Sequence, residues 1–171
     1  MSQVTETAVR IPANDVSLKG DLSIPTGATG VVLFAHGSGS SRLSPRNRFV
    51  AQELQKAGLA TLLFDLLTAQ EDEVYERRFD IDLLTERLTV ATRWVEEQPE
   101  TKGLALGLFG ASTGSAAALK AAAALGPKIE AVVSRGGRPD LATPDLGQVR
   151  SPTLLIVGGE DHLVIGLNWQ G

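Results

Sequence analysis

The chain has 171 residues and a formal net charge of −4, with 43% hydrophobic residues and no cysteine. At about 150 residues per domain, this length predicts one globular domain spanning residues 1–171. The acidic balance disfavours nucleic acid and anionic membranes as partners. The absence of cysteine excludes disulfides, cysteine nucleophiles and thiolate metal sites, and two histidines leave little for a zinc site.

The N-terminus has no basic stretch followed by an apolar one, and no segment approaches about 18 consecutive apolar residues. We therefore expect a cytoplasmic protein that has no membrane partner. We also expect no metal and no cofactor.

Partial alternation of polar and apolar residues over 16–24, ending at Pro25, predicts an antiparallel hairpin with residues 5–11. After Gly30 the pattern changes to short apolar runs separated by helical patterns, which is typical of parallel strands buried on both faces. Ligands of such a sheet bind at the carboxyl ends of the strands. The predicted parallel strands are residues 31–35, 60–64, 104–109, 129–133 and 153–157.

Three helices are predicted between these strands. The first helix begins at Ser44 and Pro45, which suit the N-cap and the first helical position, and it ends at Gly58. The second helix is predicted from Phe79 onward and turns Glu86, Arg87 and Arg93 outward. The third is an alanine-rich helix over residues 112–125, ended by Gly126 and Pro127. The second helix carries an apolar stripe of Ile81, Leu84, Leu88, Ala91 and Val95.

A Gly-x-Ser-x-Gly pentapeptide, residues 110–114, separates the third parallel strand from the alanine-rich helix. This strand–turn–helix setting is typical of a nucleophile elbow, where a serine lies at the tip of a strained turn. Glycine is needed at Gly110 and Gly114 because a Cβ there would collide with nearby backbone. We predict Ser112 as a nucleophile, and the alternative is a serine that only caps the helix.

Two more loops at strand ends add to this candidate site. We predict that the backbone N–H groups of Ser38 and Thr113 form an oxyanion hole. His36, locked before a glycine turn, is interpreted as a structural histidine rather than a base. Asp161 is the preferred acid for a Ser–acid–His order, with Glu160 as its competitor and a solvated acidic loop as the alternative.

Arginines lie in the loops that flank Ser112, and guanidinium groups there predict binding of a carboxylate-bearing substrate. Arg46 and Arg135 are the predicted substrate ligands. The alternative is that the arginines fix the loops by pairing with acids such as Asp65, Asp140 or Glu160. The four arginines considered are Arg42, Arg46, Arg135 and Arg138.

The combination of these segments resembles the dienelactone hydrolase-type α/β-hydrolases over about residues 16–168. The resemblance implies a three-layer sandwich with a mostly parallel sheet and an N-terminal antiparallel hairpin. It also implies a serine hydrolase that uses Ser112 and Asp161, without cofactor, on a small-molecule ester or lactone. Some bacterial relatives are joined to phosphoribosyltransferase-like domains, and we expect no such domain within these residues. The segments that carry the likeness are residues 36–41, 44–48, 110–114, 134–140 and 158–161.

The chain departs from this family pattern after Asp161. Such proteins continue with a helix, a final strand, a loop bearing the catalytic histidine and a closing helix, so we expect a truncated domain lacking the final strand and helix. The usual base is then absent, and a serine hydroxyl alone is a weak nucleophile. The substitutes are His162 oriented by Asp140, a partner chain, or a truncated gene with residual activity. Without one of them the protein is a noncatalytic scaffold.

Without that final strand, residues 153–157 would leave an apolar edge with unpaired backbone groups, which predicts a homodimer or aggregation through this strand.

A different function class, a nucleotide-binding domain, is indicated by Gly37-x-Gly39 after a strand and by Asp65 at the end of the next strand. The third glycine of that motif is replaced by Arg42, and the preceding hairpin does not belong to that fold. The nucleotide hypothesis also leaves Ser112 unexplained.

Overall fold

A computed structural model describes residues 2–170 as one seven-stranded mixed sheet with the strand order β1-β2-β4-β3-β5-β6-β7. The first two strands pair antiparallel as the predicted hairpin, and β2 also runs antiparallel to β4. The other neighbouring strands are parallel, as predicted. The strands are β1 (Val4–Ala13), β2 (Val16–Pro25), β3 (Gly30–Ala35), β4 (Leu59–Phe64), β5 (Ala105–Ala111), β6 (Ile129–Arg135) and β7 (Thr153–Ile156).

The three predicted helices are confirmed, and residues 2–170 contain three shorter α-helices, two in connections and one after the last strand. Ser44 caps the first helix by accepting the Asn47 N–H, as its position before Pro45 predicts. Within residues 2–170, no helix is both long and apolar enough to cross a membrane. The helices are α1 (Pro45–Lys56), α2 (Ala69–Asp72), α3 (Ile81–Glu97), α4 (Thr113–Leu125), α5 (Thr143–Leu146) and α6 (His162–Trp169).

The sheet has a separate apolar cluster on each face, because successive strand residues point to opposite sides. In β3, Leu33 belongs to the larger cluster, which packs against α3 and α4, and Phe34 belongs to the smaller one, which packs against α1. Small alanine side chains line α4, which allows this helix to lie close to the sheet. The two clusters give the three layers of an α/β-hydrolase fold, with the carboxyl ends of β3 to β7 at one edge.

Arg87 differs from the sequence prediction, because its side chain is buried and does not face solvent. Its guanidinium donates two hydrogen bonds to Glu71, at 3.1 and 2.8 Å, and Glu71 also accepts the Thr68 N–H. Burial alone would raise the pKa of Glu71, but the hydrogen bonds from Arg87 and Thr68 outweigh it and lower that pKa. This ion pair ties α2 to α3. The helical pattern missed it because its partner lies in a connection that has no periodicity.

We expect Arg87→Leu to lower the free energy of unfolding by about 3–5 kcal/mol, because it leaves the Glu71 carboxylate buried without its main cation. Adding Glu71→Gln should restore part of this loss, since a neutral amide can still accept the Thr68 N–H. The control is Arg93→Leu at an exposed position of α3. Urea unfolding measures the free energy of unfolding of the wild type, the two single variants and the double variant. Equal losses in Arg87→Leu and Arg93→Leu would contradict a stabilising ion pair between Arg87 and Glu71.

The strand β7 lies at the edge of the sheet and carries exposed leucine and isoleucine side chains. The Pro152 carbonyl accepts a hydrogen bond from Val132 of β6, and the Ile156 carbonyl accepts one from Gly136, directly after β6. By strand alternation, the backbone groups of Thr153 and Leu155 point away from β6. This edge can therefore pair with another strand.

A polypeptide of these 171 residues is expected to self-associate through β7, with two copies pairing antiparallel about Leu155. Leu155→Lys should favour the monomer, because like charges would face each other across the two-fold axis. Leu163→Lys is the control, since Leu163 is an exposed leucine outside the strand. Light scattering over a concentration series measures the mass. A wild-type monomer at every concentration would contradict the prediction.

Candidate active site

Ser112 lies at the turn between β5 and α4, with φ 53° and ψ −124°. A positive φ is costly for a residue with a Cβ, so surrounding contacts must hold this conformation. One such contact is the hydrogen bond that the Ser112 N–H donates to the Arg135 carbonyl, at 3.2 Å. The side chain is exposed and makes no capping hydrogen bond, although Ser112 occupies the N-cap position of α4. The helix-cap alternative therefore does not describe this serine.

The glycines around Ser112 allow unusually close packing of backbone on backbone. A Cβ on Gly110 would lie 2.5 Å from Ser115 Cα, and a Cβ on Gly114 would overlap the Ala35 carbonyl. The steric prediction for these two glycines is confirmed. Gly37 adds a third approach, because its Cβ would lie 3.1 Å from Ser112 Cβ. The loop after β3 is thus held directly against the serine.

The two predicted oxyanion residues are brought together by a direct hydrogen bond. The Ser38 N–H donates to Thr113 Oγ1 at 3.0 Å, and the Thr113 side chain is buried. Thr113 is the first residue of α4, so its own N–H has no acceptor within that helix. In this structure the Thr113 hydroxyl occupies the Ser38 N–H, an interaction that the sequence pattern did not predict.

His36 is buried and both of its ring nitrogens are engaged. Its Nε2 accepts the Leu66 N–H at 3.0 Å, so Nδ1 carries the proton and donates it to the Gly37 carbonyl at 2.9 Å. Burial lowers the pKa of His36, against smaller effects of the Gly37 hydrogen bond and of nearby acids. The interpretation of His36 as a structural histidine is confirmed. It clamps the end of β3 to the end of β4.

Asp161 and His162 lie at the start of α6 and are both exposed. The Asp161 carboxylate caps this helix by accepting the Val164 N–H at 3.1 Å. Among residues 2–170, no hydrogen bond joins Ser112, Asp161 and His162. Asp140 does not orient His162 either, because both of its carboxylate oxygens accept hydrogen bonds from Arg138, at 2.9 and 2.8 Å. These bonds lower the pKa of Asp140.

The four arginines near the site divide into two groups. Arg42 pairs with Asp65 at 2.9 Å and with Asp21 at 3.3 Å, and Arg138 pairs with Asp140. These two fit the alternative in which arginines fix loops. Arg46 and Arg135 have no carboxylate within 4.0 Å in the described part of the chain. Arg135 instead donates to the Asn47 side-chain oxygen at 2.9 Å and lies over the Phe109 ring.

Asn47 and Phe109 are site residues that sequence reasoning missed. Asn47 is 1% exposed, an unusual burial for an amide in the first turn of a helix. Its place directly after Pro45 and Arg46 was the only available signal. For the described residues, no group of three or more metal-ligating side chains could hold a metal ion.

Comparison with known proteins identifies the family. A model of the dienelactone hydrolase family matches residues 18–169. The chain belongs to the dienelactone hydrolase family. The crystal structure of a dienelactone hydrolase from Anabaena variabilis is similar, with a TM-score of 0.94 and 59% identity over 98% of this chain and 80% of that chain. Membership of this family supports a hydrolase.

More distant relatives and longer ones are also similar to this member of the dienelactone hydrolase family. A dienelactone hydrolase-like promiscuous phosphotriesterase from metagenomic libraries shares the fold, with a TM-score of 0.76 and 21% identity over 98% of this chain and 75% of that chain. Two Mycobacterium tuberculosis proteins, each named "Putative phosphoribosyl transferase", are 56% identical over 160 residues. The match covers 94% of this chain but only 36% of those proteins, so the chain spans about a third of their length.

His36 makes a pH prediction with a defined sign. Its pKa is lowered in the folded protein, whereas the unfolded chain takes up a proton near 6.5. The stabilisation is therefore complete above about pH 6.5 and is lost as the pH falls below it. The wild type should lose up to about 1.4 kcal/mol per pH unit more than His36→Gln, whose amide can accept the Leu66 N–H without titrating. Urea unfolding at several pH values measures the two slopes, and equal slopes would contradict the prediction.

Proposed function

We propose that this chain is a serine hydrolase that cleaves carboxylic ester or lactone bonds with Ser112 as its nucleophile. The observation that carries the proposal is the conformation of Ser112, which is exposed at a positive-φ turn between a strand and a helix. Such strain is retained only where neighbouring structure enforces it, and it is characteristic of functional sites. In this fold the turn is the position of a nucleophilic serine.

The proposed reaction begins when Ser112 Oγ attacks the carbonyl carbon and its proton passes to a base. The carbonyl oxygen then becomes an oxyanion, for which we propose the N–H groups of Thr113 and Ser38 as donors. The oxyanion would have to replace the Thr113 hydroxyl oxygen as acceptor of the Ser38 N–H. The proposal therefore requires a change of the Thr113 side-chain rotamer or a shift of the loop after β3. The alcohol leaves with a proton, and water then hydrolyses the acyl group from Ser112.

The base is the part of this proposal that needs an experiment most. His36 is unsuited, because its two nitrogens serve the Leu66 N–H and the Gly37 carbonyl. Within residues 2–170, His162 is the other histidine, and its ring makes no hydrogen bond. We propose Asp161 as the acid and His162 as the base, with a base from a partner chain or from residues beyond the described part as the alternative.

A noncatalytic scaffold is the second candidate function. It is favoured by one observation, namely that no imidazole is hydrogen-bonded to Ser112 among the described residues. The nucleotide-binding hypothesis has less support, since the Asp65 carboxylate that would bind a ribose hydroxyl is occupied by the Arg42 backbone and guanidinium. Turnover of an ester separates these candidates.

The wild type is expected to hydrolyse p-nitrophenyl acetate, and Ser112→Ala should lose about 1,000-fold or more of kcat, because the nucleophile is removed. Ser40→Ala is the control and should keep the wild-type rate, because Ser40 is an exposed serine in the loop after β3. Stopped-time absorbance assays measure the rates. Hydrolysis that is equal in the wild type and Ser112→Ala would contradict the proposal.

The same assay on His162→Ala identifies the base. A loss of kcat comparable to that of Ser112→Ala is expected if His162 takes the proton. Unchanged turnover in His162→Ala, together with a loss in Ser112→Ala, would assign the base to a partner chain or to residues outside the described part.

A further inference from the structure

The side chain of Arg135 is held in place without being neutralised. Its guanidinium donates to the Asn47 Oδ1 atom at 2.9 Å, and its Cζ atom lies 5.6 Å from the centre of the Phe109 ring. Asn47 is buried, and its amide oxygen carries no formal charge. The hydrogen bond and the cation–π contact therefore orient the guanidinium while its positive charge stays available for a ligand.

Three other arginines of the chain are held by acids and not by a neutral amide. Arg78, Arg87 and Arg138 each pair with a carboxylate, at 3.0, 2.8 and 2.8 Å. Each of these three arginines is neutralised by the acid that holds it. Arg135 is held by a neutral amide instead.

A second unpaired cation accompanies Arg135. Arg46 stands in the first turn of α1, directly before Asn47, and its side chain is exposed. Burial lowers the pKa of Arg135, and the positive charge of Arg46 lowers it further. Two like charges placed together repel each other, and a bound anion would relieve this repulsion.

The backbone of Arg135 is adjacent to Ser112. The Arg135 carbonyl accepts the Ser112 N–H at 3.2 Å, and Arg135 pairs with Ala111 across neighbouring strands. Neighbouring strands are about 4.8 Å apart, so the strand that carries Arg135 lies directly beside the turn of Ser112. We infer that one small molecule can reach both the serine and the arginines. The backbone of Arg135 positions the nucleophile, and its side chain points towards the first turn of α1.

We propose that Arg46 and Arg135 bind a phosphate monoester group carried by the ester or lactone substrate. A phosphate monoester has a charge between −1.5 and −2 near neutral pH and three acceptor oxygens, which suits two guanidinium groups. A single carboxylate would leave one positive charge unbalanced. This inference rests on the proposed function, because it defines the substrate class of the same Ser112 site.

The binding test uses Ser112→Ala protein, so that hydrolysis plays no part, and calorimetric titration with phenyl phosphate and with benzoate at about pH 8, where the phosphate is a dianion. Phenyl phosphate should bind more tightly than benzoate. Adding Arg46→Gln or Arg135→Gln should weaken phenyl phosphate binding about tenfold or more, as expected for a lost charge-assisted interaction.

Arg48→Gln, on the exposed side of α1, is the matched control and should leave the affinity unchanged. Circular dichroism verifies that each variant is folded, and Arg46→Gln guards the test against misfolding because Arg46 is exposed. Equal affinity for phenyl phosphate and benzoate, or equal losses in Arg46→Gln and Arg48→Gln, would overturn the proposal.

A kinetic test separates this proposal from the proposed function. On active protein, the p-nitrophenyl ester of 3-phosphonopropionic acid should be cleaved with a kcat/KM about tenfold or more above that of p-nitrophenyl propionate, and Arg46→Gln should abolish the difference. Cleavage of the neutral ester with no preference for the phosphonate would overturn the inference and leave the hydrolase intact. Tight binding of phenyl phosphate without any ester turnover would contradict the hydrolase and support the anion site.

Discussion

The site depends on one packing constraint. The turn at Ser112, together with β5 and α4 on either side of it, lies directly against the loop after β3. Gly110 lets the turn fold back on the helix at Ser115, and Gly114 lets α4 begin against the backbone of β3. The hydroxyl of Ser115 fastens this turn by donating to the Gly110 carbonyl at 2.8 Å. With both glycines in place, Ser112 can hold a positive φ that an unsupported serine would leave. The strain in one residue is thus balanced by the packing of three elements.

The groups around this turn are positioned by hydrogen bonds that cross from strand to strand at the same edge of the sheet. His36 joins the ends of β3 and β4, and Arg42 joins β2 to the end of β4 through Asp21 and Asp65. Arg135 joins β6 to α1 through Asn47. The links made by His36 and Arg42 are structural, because the polar groups of both side chains are already paired within the protein. The third leaves a guanidinium that no carboxylate of the described residues neutralises, which is why we propose it for substrate binding.

Sequence periodicity predicted the sheet well, because a strand buried on both faces has to be uniformly apolar and bounded by glycine or proline. The structure confirms the hairpin, the parallel strands and the three main helices. It also confirms that a Cβ at Gly110 or Gly114 would collide with backbone. Arg87 was predicted on the wrong face of α3. The buried face of this helix includes polar residues beside the apolar ones, and the buried partner of Arg87, Glu71, lies in the connection before α3. The sequence offered no physical ground for choosing Arg135 over Arg138 as a substrate ligand, since only the folded chain shows which arginine has a carboxylate within reach. The role of Ser112 is a prediction from its pattern that its strained conformation supports.

The central claim, that Ser112 is an activated nucleophile, is tested most directly by labelling with a fluorophosphonate, which reacts covalently with such serines. Intact mass should show one adduct per chain, and fragmentation of the tryptic peptide of residues 103–120 should place it on Ser112 and not on Ser115, which lies in the same peptide. Ser112→Ala should not react, and heat-unfolded wild type should not react either. An unlabelled folded protein, or an adduct on Ser115, would contradict the account.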